Sequence, residues 1–586
     1  MLQIIKGRHQ ISAGAWFQWL QSNEFAPQNQ AGVASFLSLT TFLQGSLQTL
    51  SVPPVQTEMN WRQLEGTWFV EDKIQVRRNL TLSLGLRHEF NNGWNEANGR
   101  ASNYYFVNGV IQTNPVVGTS VYAQNNAKWL LGPRVALAWD VFGNGKTSLR
   151  AGFGTHYSML DTLGNPLGHN YPTNGVLTLK GQLVTQIPVK PSTSLPPICG
   201  PGVSPCSLYA PGGVDQNIKT PTVEQWNLSI EQGISSNMSV RIAYVGSHGY
   251  HETDSDNPNT IAPQVCAAAT CVAGGSAAVT TAALRATVPQ GTTYIPVQTV
   301  PNTFISNAGM LDALGISNYN AGTVELTRRM ASGLQFKTSY TWAKELDIQD
   351  GYSGDPGVGS EQDFWHAKQT GYGPSANNQA QRFVFSGSYQ LPIGRNKPFL
   401  SGVSGAWDKL VSGWQINSIL TVASGIPFGV TDGINQSGNA QTGAGSDRPN
   451  FANGFSSSSP IVTSNPSQWP IVGGSPNPTW FNSHAFVLET SGTFGNTGKN
   501  FLIGPNLRDV DVSIFKTTKI GERLSAEFRA EAFNLFNRVN FTNPLTGSQS
   551  VFAGSVTAPT YSPTAGVIQG TSTDPRRLQF GLKLVF

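Results

Sequence analysis

Residues 576–586 read Arg-Arg-Leu-Gln-Phe-Gly-Leu-Lys-Leu-Val-Phe, and their period of two constrains the fold more than any other feature. In an extended chain Leu578, Phe580, Leu582, Leu584 and Phe586 share one face, while Gln579, Gly581, Lys583 and Val585 share the other. The pattern recurs throughout. Leu80, Leu82, Leu84 and Leu86 alternate with Thr81, Ser83, Gly85 and Arg87. Val135, Leu137 and Trp139 precede an Asn144-Gly145 turn, followed by Leu149, Ala151 and Phe153. Further strand pairs are predicted around Trp226–Ile230 and Val240–Tyr244, Val324–Leu326 and Leu334–Trp342, Phe383–Tyr389 and Trp414–Val422, and Val510–Ile514 and Leu524–Ala530.

The connections are of two kinds. Turns of a few residues close one end of each pair; long stretches at 157–222, 248–318, 347–380 and 428–507 join the other ends. Irregular loops of that length are rare in a compact soluble domain. Short turns at one rim and long loops at the other are the signature of a membrane-spanning antiparallel β-barrel. The all-β, transmembrane-barrel class also suits the composition: charged residues are only 12% and there are 63 glycines. The most apolar run, 31–43, is too short for a spanning helix, which needs about 18 to 20 residues. A net charge of +4 without a basic run gives no reason to expect a nucleic-acid partner. Trp139, Tyr157, Tyr244, Trp342 and Trp414 fit the aromatic belts of a bilayer interface, and membrane lipid is the expected solvent for the apolar face.

The opening residues, Met1 to His9, have no secretory leader pattern, which favours a C-terminal part of a longer exported protein. Cys199 and Cys206 enclose six residues and Cys266 and Cys271 enclose four, all in Pro-, Gly- or Ala-rich stretches. Two loop disulfides, Cys199–Cys206 and Cys266–Cys271, suit such spacing in an oxidising compartment better than a zinc site does.

Charged side chains fall opposite the apolar ones. Arg241, Lys337, Glu527, Arg529 and Glu531 are predicted to line a wet lumen. Trp365, Trp469 and Trp480 lie in the long loops, where they either stack on a ligand or pack the loops together. His248, His251, Glu252, Asp254 and Asp256 form the densest ligand-like run, but Pro258 replaces the third ligand of a calcium loop and no glycine follows. A polar loop is the plainer reading. The Gly-rich run 437–445 lacks a phosphate-loop lysine and reads as a flexible loop, and Asp447-Arg448-Pro449-Asn450 is assigned no chemistry. No catalytic, cofactor or metal residue is assigned, and the chain is not read as an enzyme.

Several stretches together resemble Oar-like TonB-dependent outer-membrane receptors. They are Thr220-Pro221-Thr222-Val223-Glu224-Gln225-Trp226-Asn227, Ala243-Tyr244-Val245-Gly246-Ser247-His248-Gly249, Ser339-Tyr340-Thr341-Trp342-Ala343-Lys344-Glu345-Leu346-Asp347 and Glu531-Ala532-Phe533-Asn534-Leu535-Phe536-Asn537. The resemblance runs through most of 1–586 and implies a barrel of about 22 strands in the outer membrane of a Gram-negative bacterium. Roughly 14 to 16 strands are legible, so an incomplete barrel is expected, without the plug or the TonB-contact segment that the family carries. The resemblance implies a transporter or receptor that binds an extracellular ligand on its loops, with a TonB complex as partner if that upstream region exists. It also implies that Phe580, Leu582, Leu584 and Phe586 are read by the barrel-assembly machinery. A surface adhesion or assembly protein anchored by its barrel is the alternative.

Overall fold

The computed structural model describes residues 1–25, 32–52, 57–159, 177–180, 183–186, 199–203, 212–275, 285–305, 308–348, 362–439, 447–457, 471–472, 475–476, 479–521 and 523–586. Fifteen strands carry the fold. They are β1 (Leu2–Lys6), β2 (His9–Glu24), β3 (Met59–Arg77), β4 (Leu80–Asn91), β5 (Leu130–Asp140), β6 (Thr147–Tyr157), β7 (Thr222–Ser235) and β8 (Met238–Asp256). After these come β9 (Gly309–Ala331), β10 (Leu334–Asp347), β11 (Gln381–Gln390), β12 (Trp414–Ala423), β13 (Leu507–Lys519), β14 (Ser525–Phe533) and β15 (Arg577–Val585). Each pairs antiparallel with the next, and three short edge pieces bring the sheet to 18 strands. Among the described residues no ladder joins β1 to β15.

The alternation in the sequence becomes the two faces of this sheet. Leu84 lies opposite Val135, Phe153 opposite Trp226, Ile230 opposite Ile242, and Phe528 opposite Leu582. This face stays bare: Phe580 and Leu582 are 68% and 70% exposed, and Trp342 is 63% exposed. Among the described residues no second protein layer packs against it. The buried apolar clusters of the molecule are instead built from the long loops and the strand ends next to them. Such a face is stable only against hydrocarbon, where every backbone polar group must find its partner in the ladder.

The rims differ as predicted. β1 and β2, β3 and β4, β7 and β8, and β9 and β10 are each joined by two residues. At the last of these, Ser332 and Gly333 both take positive φ, and a Cβ on Gly333 would stand 2.8 Å from the Gln390 carbonyl. On this rim β11 and β12 are joined by a longer link, 391–413, which carries a short helix at Gly405–Val411. The opposite rim carries the connections 25–58, 92–129, 158–221, 257–308, 348–380, 424–506 and 534–576. Trp139 and Trp414 stand on the apolar face at the short-turn rim, and Tyr157 and Trp342 stand toward the other. Tyr244 also faces outward, but sits mid-strand, where its hydroxyl donates to Asn320 at 2.6 Å.

The long connections are not structureless. They carry paired short strands such as Thr270–Ala273 with Ala286–Pro289 and Phe552–Ser555 with Ala558–Tyr561. The run at 248–256, read as a polar loop, is the upper part of β8. Two register shifts between Tyr250 and Asp254 break its alternation and disguise the strand.

The two faces should tolerate charge differently. Leu582→Lys is expected to cost about 2–4 kcal/mol in lipid, whereas Gln579→Lys one step away on the other face should cost less than about 1 kcal/mol. Denaturant unfolding of the protein in bilayers measures both.

Candidate functional site

The polar face collects the predicted charges. Arg241 on β8 is in register with Glu231 on β7 and Glu325 on β9, and Glu325 Oε2 meets Lys337 Nζ on β10 at 2.9 Å. Charge therefore alternates across four neighbouring strands near the short-turn rim. Lys337 is more exposed than buried, so the pair adds little stability and acts mainly on register and local field. On β14 Glu527 and Arg529 form an ion pair, and the Arg529 guanidinium lies 4.8 Å from the centre of the Phe515 ring. Glu531 is in register with Ser513 and Gln579. All five side chains share the face opposite Phe528 and Leu582.

Above the long-loop rim the connections knit into one layer. Met59 and Trp61, at the start of β3, pack with Trp94, Val121, Val214 and Leu311. Phe428, Phe481, Phe486, Leu502 and Phe552 form a second core. Buried amides tie loop to loop: Asn103 Nδ2 donates to the carbonyls of Val121 and Val214, both at 2.7 Å, and Asn439 Nδ2 donates to the Gln362 carbonyl at 2.6 Å. At the layer's base the buried Lys499 ammonium pairs with Asp347, the last residue of β10. That contact fastens the 424–506 connection to the sheet.

The loop tryptophans serve this packing. Trp365 Nε1 donates to the Thr260 carbonyl at 3.3 Å, joining 348–380 to 257–308. Trp480 donates to the Ile503 carbonyl at 2.8 Å and packs on the second core. Trp469 lies outside the described residues. Cys266 and Cys271 form a disulfide, with Cα atoms 5.7 Å apart. Cys199 is also disulfide-bonded, while Cys206, its expected partner, lies outside the described residues.

One cluster escaped sequence reasoning. Asp432, Asp447 and Glu489 converge until one carboxylate oxygen from each lies within 4.8 Å of the others. Ser437 fixes Asp447 by donating its backbone N–H at 2.7 Å and its hydroxyl at 2.9 Å. The carboxyls of Asp432 and Glu489 are buried and face each other, and no N–H or hydroxyl of another described residue reaches them. Burial pushes all three carboxyls up; at Glu489 the charge of Asp432 pushes in the same direction. Asp447, assigned no chemistry above, belongs to this cluster. Ser437, Gly438 and Asn439, which open the Gly-rich run, are buried beside it, while 440–446 lie outside the described residues. The His248 run behaves differently: His248 Nδ1 meets the Asn318 side-chain oxygen at 2.9 Å, and Glu252 accepts the Ser317 hydroxyl at 2.7 Å.

The model of the outer membrane beta barrel domain matches residues 1–579. The chain belongs to this family. It is an outer-membrane β-barrel, and its bare apolar face is the lipid-facing one. Among solved structures it is similar to the outer membrane transporter YddB from Escherichia coli, with TM-score 0.50 and 9% identity over 100% of this chain and 52% of that one. The ferric-catecholate import receptor Fiu from Escherichia coli aligns at TM-score 0.41 and 9% identity, over 100% and 53%. The ferric enterobactin receptor PfeA from Pseudomonas aeruginosa, solved with enterobactin, aligns at TM-score 0.41 and 10% identity, over 100% and 52%. The chain spans about half the length of these structures. No curated protein matches it. The YddB likeness shows a shared fold at an identity too low to carry a ligand across.

The Lys499–Asp347 pair gives a test of how the layer is held. Lys499→Met removes a buried ammonium beside Asp347 and should weaken this anchor by about 3–5 kcal/mol. Limited proteolysis in detergent should then cut 424–506 faster. Heat-modifiable migration of the barrel on a gel should persist.

Proposed function

We propose that this barrel forms the wall and outer vestibule of a TonB-dependent uptake receptor. The observation that carries the proposal is the stacking of a cross-linked loop layer over a charged sheet face within one family-defined barrel. The loops give a preformed surface that loses little entropy when it captures a ligand. Arg241, Glu325, Lys337, Glu527, Arg529 and Glu531 then offer a polar route that spares a hydrophilic solute from meeting lipid. Energy coupling would come from a plug and a TonB-contact segment in the same polypeptide, as the resemblance implies. Trp365 and Trp480 contribute by holding the loops in shape, since both indole N–H groups are already engaged inside the layer. Phe580, Leu582, Leu584 and Phe586 supply the lipid-facing strand that assembly machinery would read.

A second reading has its own support. Buried loop cores and a loop disulfide make a firm display surface, which also suits an adhesion or assembly protein anchored by its barrel. The two part on energy dependence. The whole protein is expressed in cells with and without functional TonB, and depletion of small solutes from the medium is followed by mass spectrometry. Uptake predicts at least one solute whose depletion needs both this protein and TonB. Equal profiles in the two backgrounds, with the barrel present at the surface, would favour the anchor.

A further inference from the structure

We propose that Asp432, Asp447 and Glu489 form a binding site for a divalent cation of the calcium class at the junction of the outer loops. Three carboxylates meet in a place closed to water: Asp432 is 0% exposed, Glu489 2% and Asp447 3%. Like charges this close repel strongly once water is removed, so the cluster needs either protons or a cation. No Lys or Arg among the described residues pairs with any of the three. Arg448, next in sequence to Asp447, directs its guanidinium to the Thr370 carbonyl at 2.9 Å, and Lys499 turns to Asp347.

The unpartnered atoms point to a cation. Four carboxylate oxygens, Oδ1 and Oδ2 of Asp432 and Oε1 and Oε2 of Glu489, are buried with no N–H or hydroxyl of another described residue reaching them; the two carboxyls have only each other, which takes either a shared proton or a cation. Native structures rarely leave such groups without a proton donor, a water or an ion. Gln436 adds a fifth: its side-chain oxygen is buried and unpartnered, while its amide nitrogen donates to the Glu489 carbonyl at 3.2 Å. Asp447 is already held through hydrogen bonds from Ser437, as a fixed ligand should be.

Spacing and donor type select the ion. Two ligands across a calcium ion stand at most about 4.8 Å apart, twice a Ca–O bond of about 2.4 Å. The three oxygens lie within that limit. Every donor is a hard oxygen, and neither His nor Cys takes part, which disfavours zinc and copper. The ligands come from irregular loop backbone, and calcium accepts irregular oxygen shells more readily than magnesium does.

The place gives the ion a task. Asp432 and Asp447 hold each other through a backbone bond of 2.7 Å, and Glu489 closes the site from 57 residues further along than Asp432. From this knot Asn439 reaches Gln362 in the 348–380 connection, Gly492 accepts the Ile295 N–H from 257–308, and Thr431 accepts the Val551 N–H from 534–576. A cation here would lock four connections over the barrel mouth. The inference does not depend on what the barrel transports.

The test uses the full-length protein folded in detergent, with calcium itself as the probe. Binding is read by calorimetric titration, and loop closure by the rate of limited proteolysis within 424–506 in calcium against chelator. If calcium binds only the closed layer, a concentration ten times its Kd lowers the open fraction, and the cleavage rate, by roughly tenfold. The pair Asp432→Asn and Glu489→Gln keeps shape but removes charge. The double variant should be cut slowly even in chelator and should neither bind nor respond. Asp363→Asn, in the neighbouring connection, should keep the response. The proposal is overturned if the wild type shows neither heat of binding nor protection up to about 10 mM calcium, well past the usual range of extracellular sites. It is equally overturned if the double variant still responds. Should that variant fail to fold, judged by heat-modifiable migration, the wild-type titration decides alone.

Discussion

Everything in this molecule follows from a sheet that exposes its greasy side. In a soluble fold a run such as Leu578, Phe580, Leu582 and Leu584 would be covered by a second layer, and its burial would supply the main driving force. Here the residues facing those side chains on β14, Ala526, Phe528, Ala530 and Ala532, belong to the same face, and none of them is buried. Hydrocarbon is the one solvent that accepts the face. The antiparallel meander is the one arrangement that keeps every interior strand's backbone paired within it.

That constraint divides the chain's chemistry into two zones. Inside the sheet, specificity comes from register: a slip of one residue would turn Arg241, Glu325 and Lys337 into lipid, a penalty large enough to fix each pairing. Some charges do stand on the apolar face. Asp72 is paired with His9 at 2.6 Å, and Lys516 sits at the rim 5.5 Å from the Trp414 ring. Beyond the sheet, the loops obey the rules of a soluble domain and bury Trp61, Phe481 and Phe486 completely. Asp432, Asp447 and Glu489 can be enclosed only there, in a layer thick enough to exclude water.

The legibility of each zone in the sequence differs for the same reason. Strand pairing is local, so alternation and an Asn-Gly turn were enough to find β5 with β6, and the polar-face charges followed from parity. Leu2–Lys6 is too short for alternation to stand out, and it went unread as a strand. Loop structure depends on contacts such as Asn103 with Val214 and Asn302 with the Ile111 carbonyl, more than a hundred residues apart, which leave no periodic trace. The acidic cluster was hidden in the same way. Its members are separated by segments of ordinary loop composition, so only folding brings them together. Trp365 and Trp480 were visible as loop aromatics, but whether they pack or bind is decided by which carbonyls lie near, and those are distant in sequence.

The account rests on lipid contact with one face of each strand, and β15 offers the most direct reading. Single cysteines placed at 578 through 584, each carrying an environment-sensitive fluorophore, would be scanned with the protein in bilayers. The emission should alternate with a period of two, blue-shifted and quenched by lipid-borne quenchers at 578, 580, 582 and 584, and water-like at 579, 581 and 583. A uniform profile, or the opposite phase, would contradict the claim that hydrocarbon covers this face.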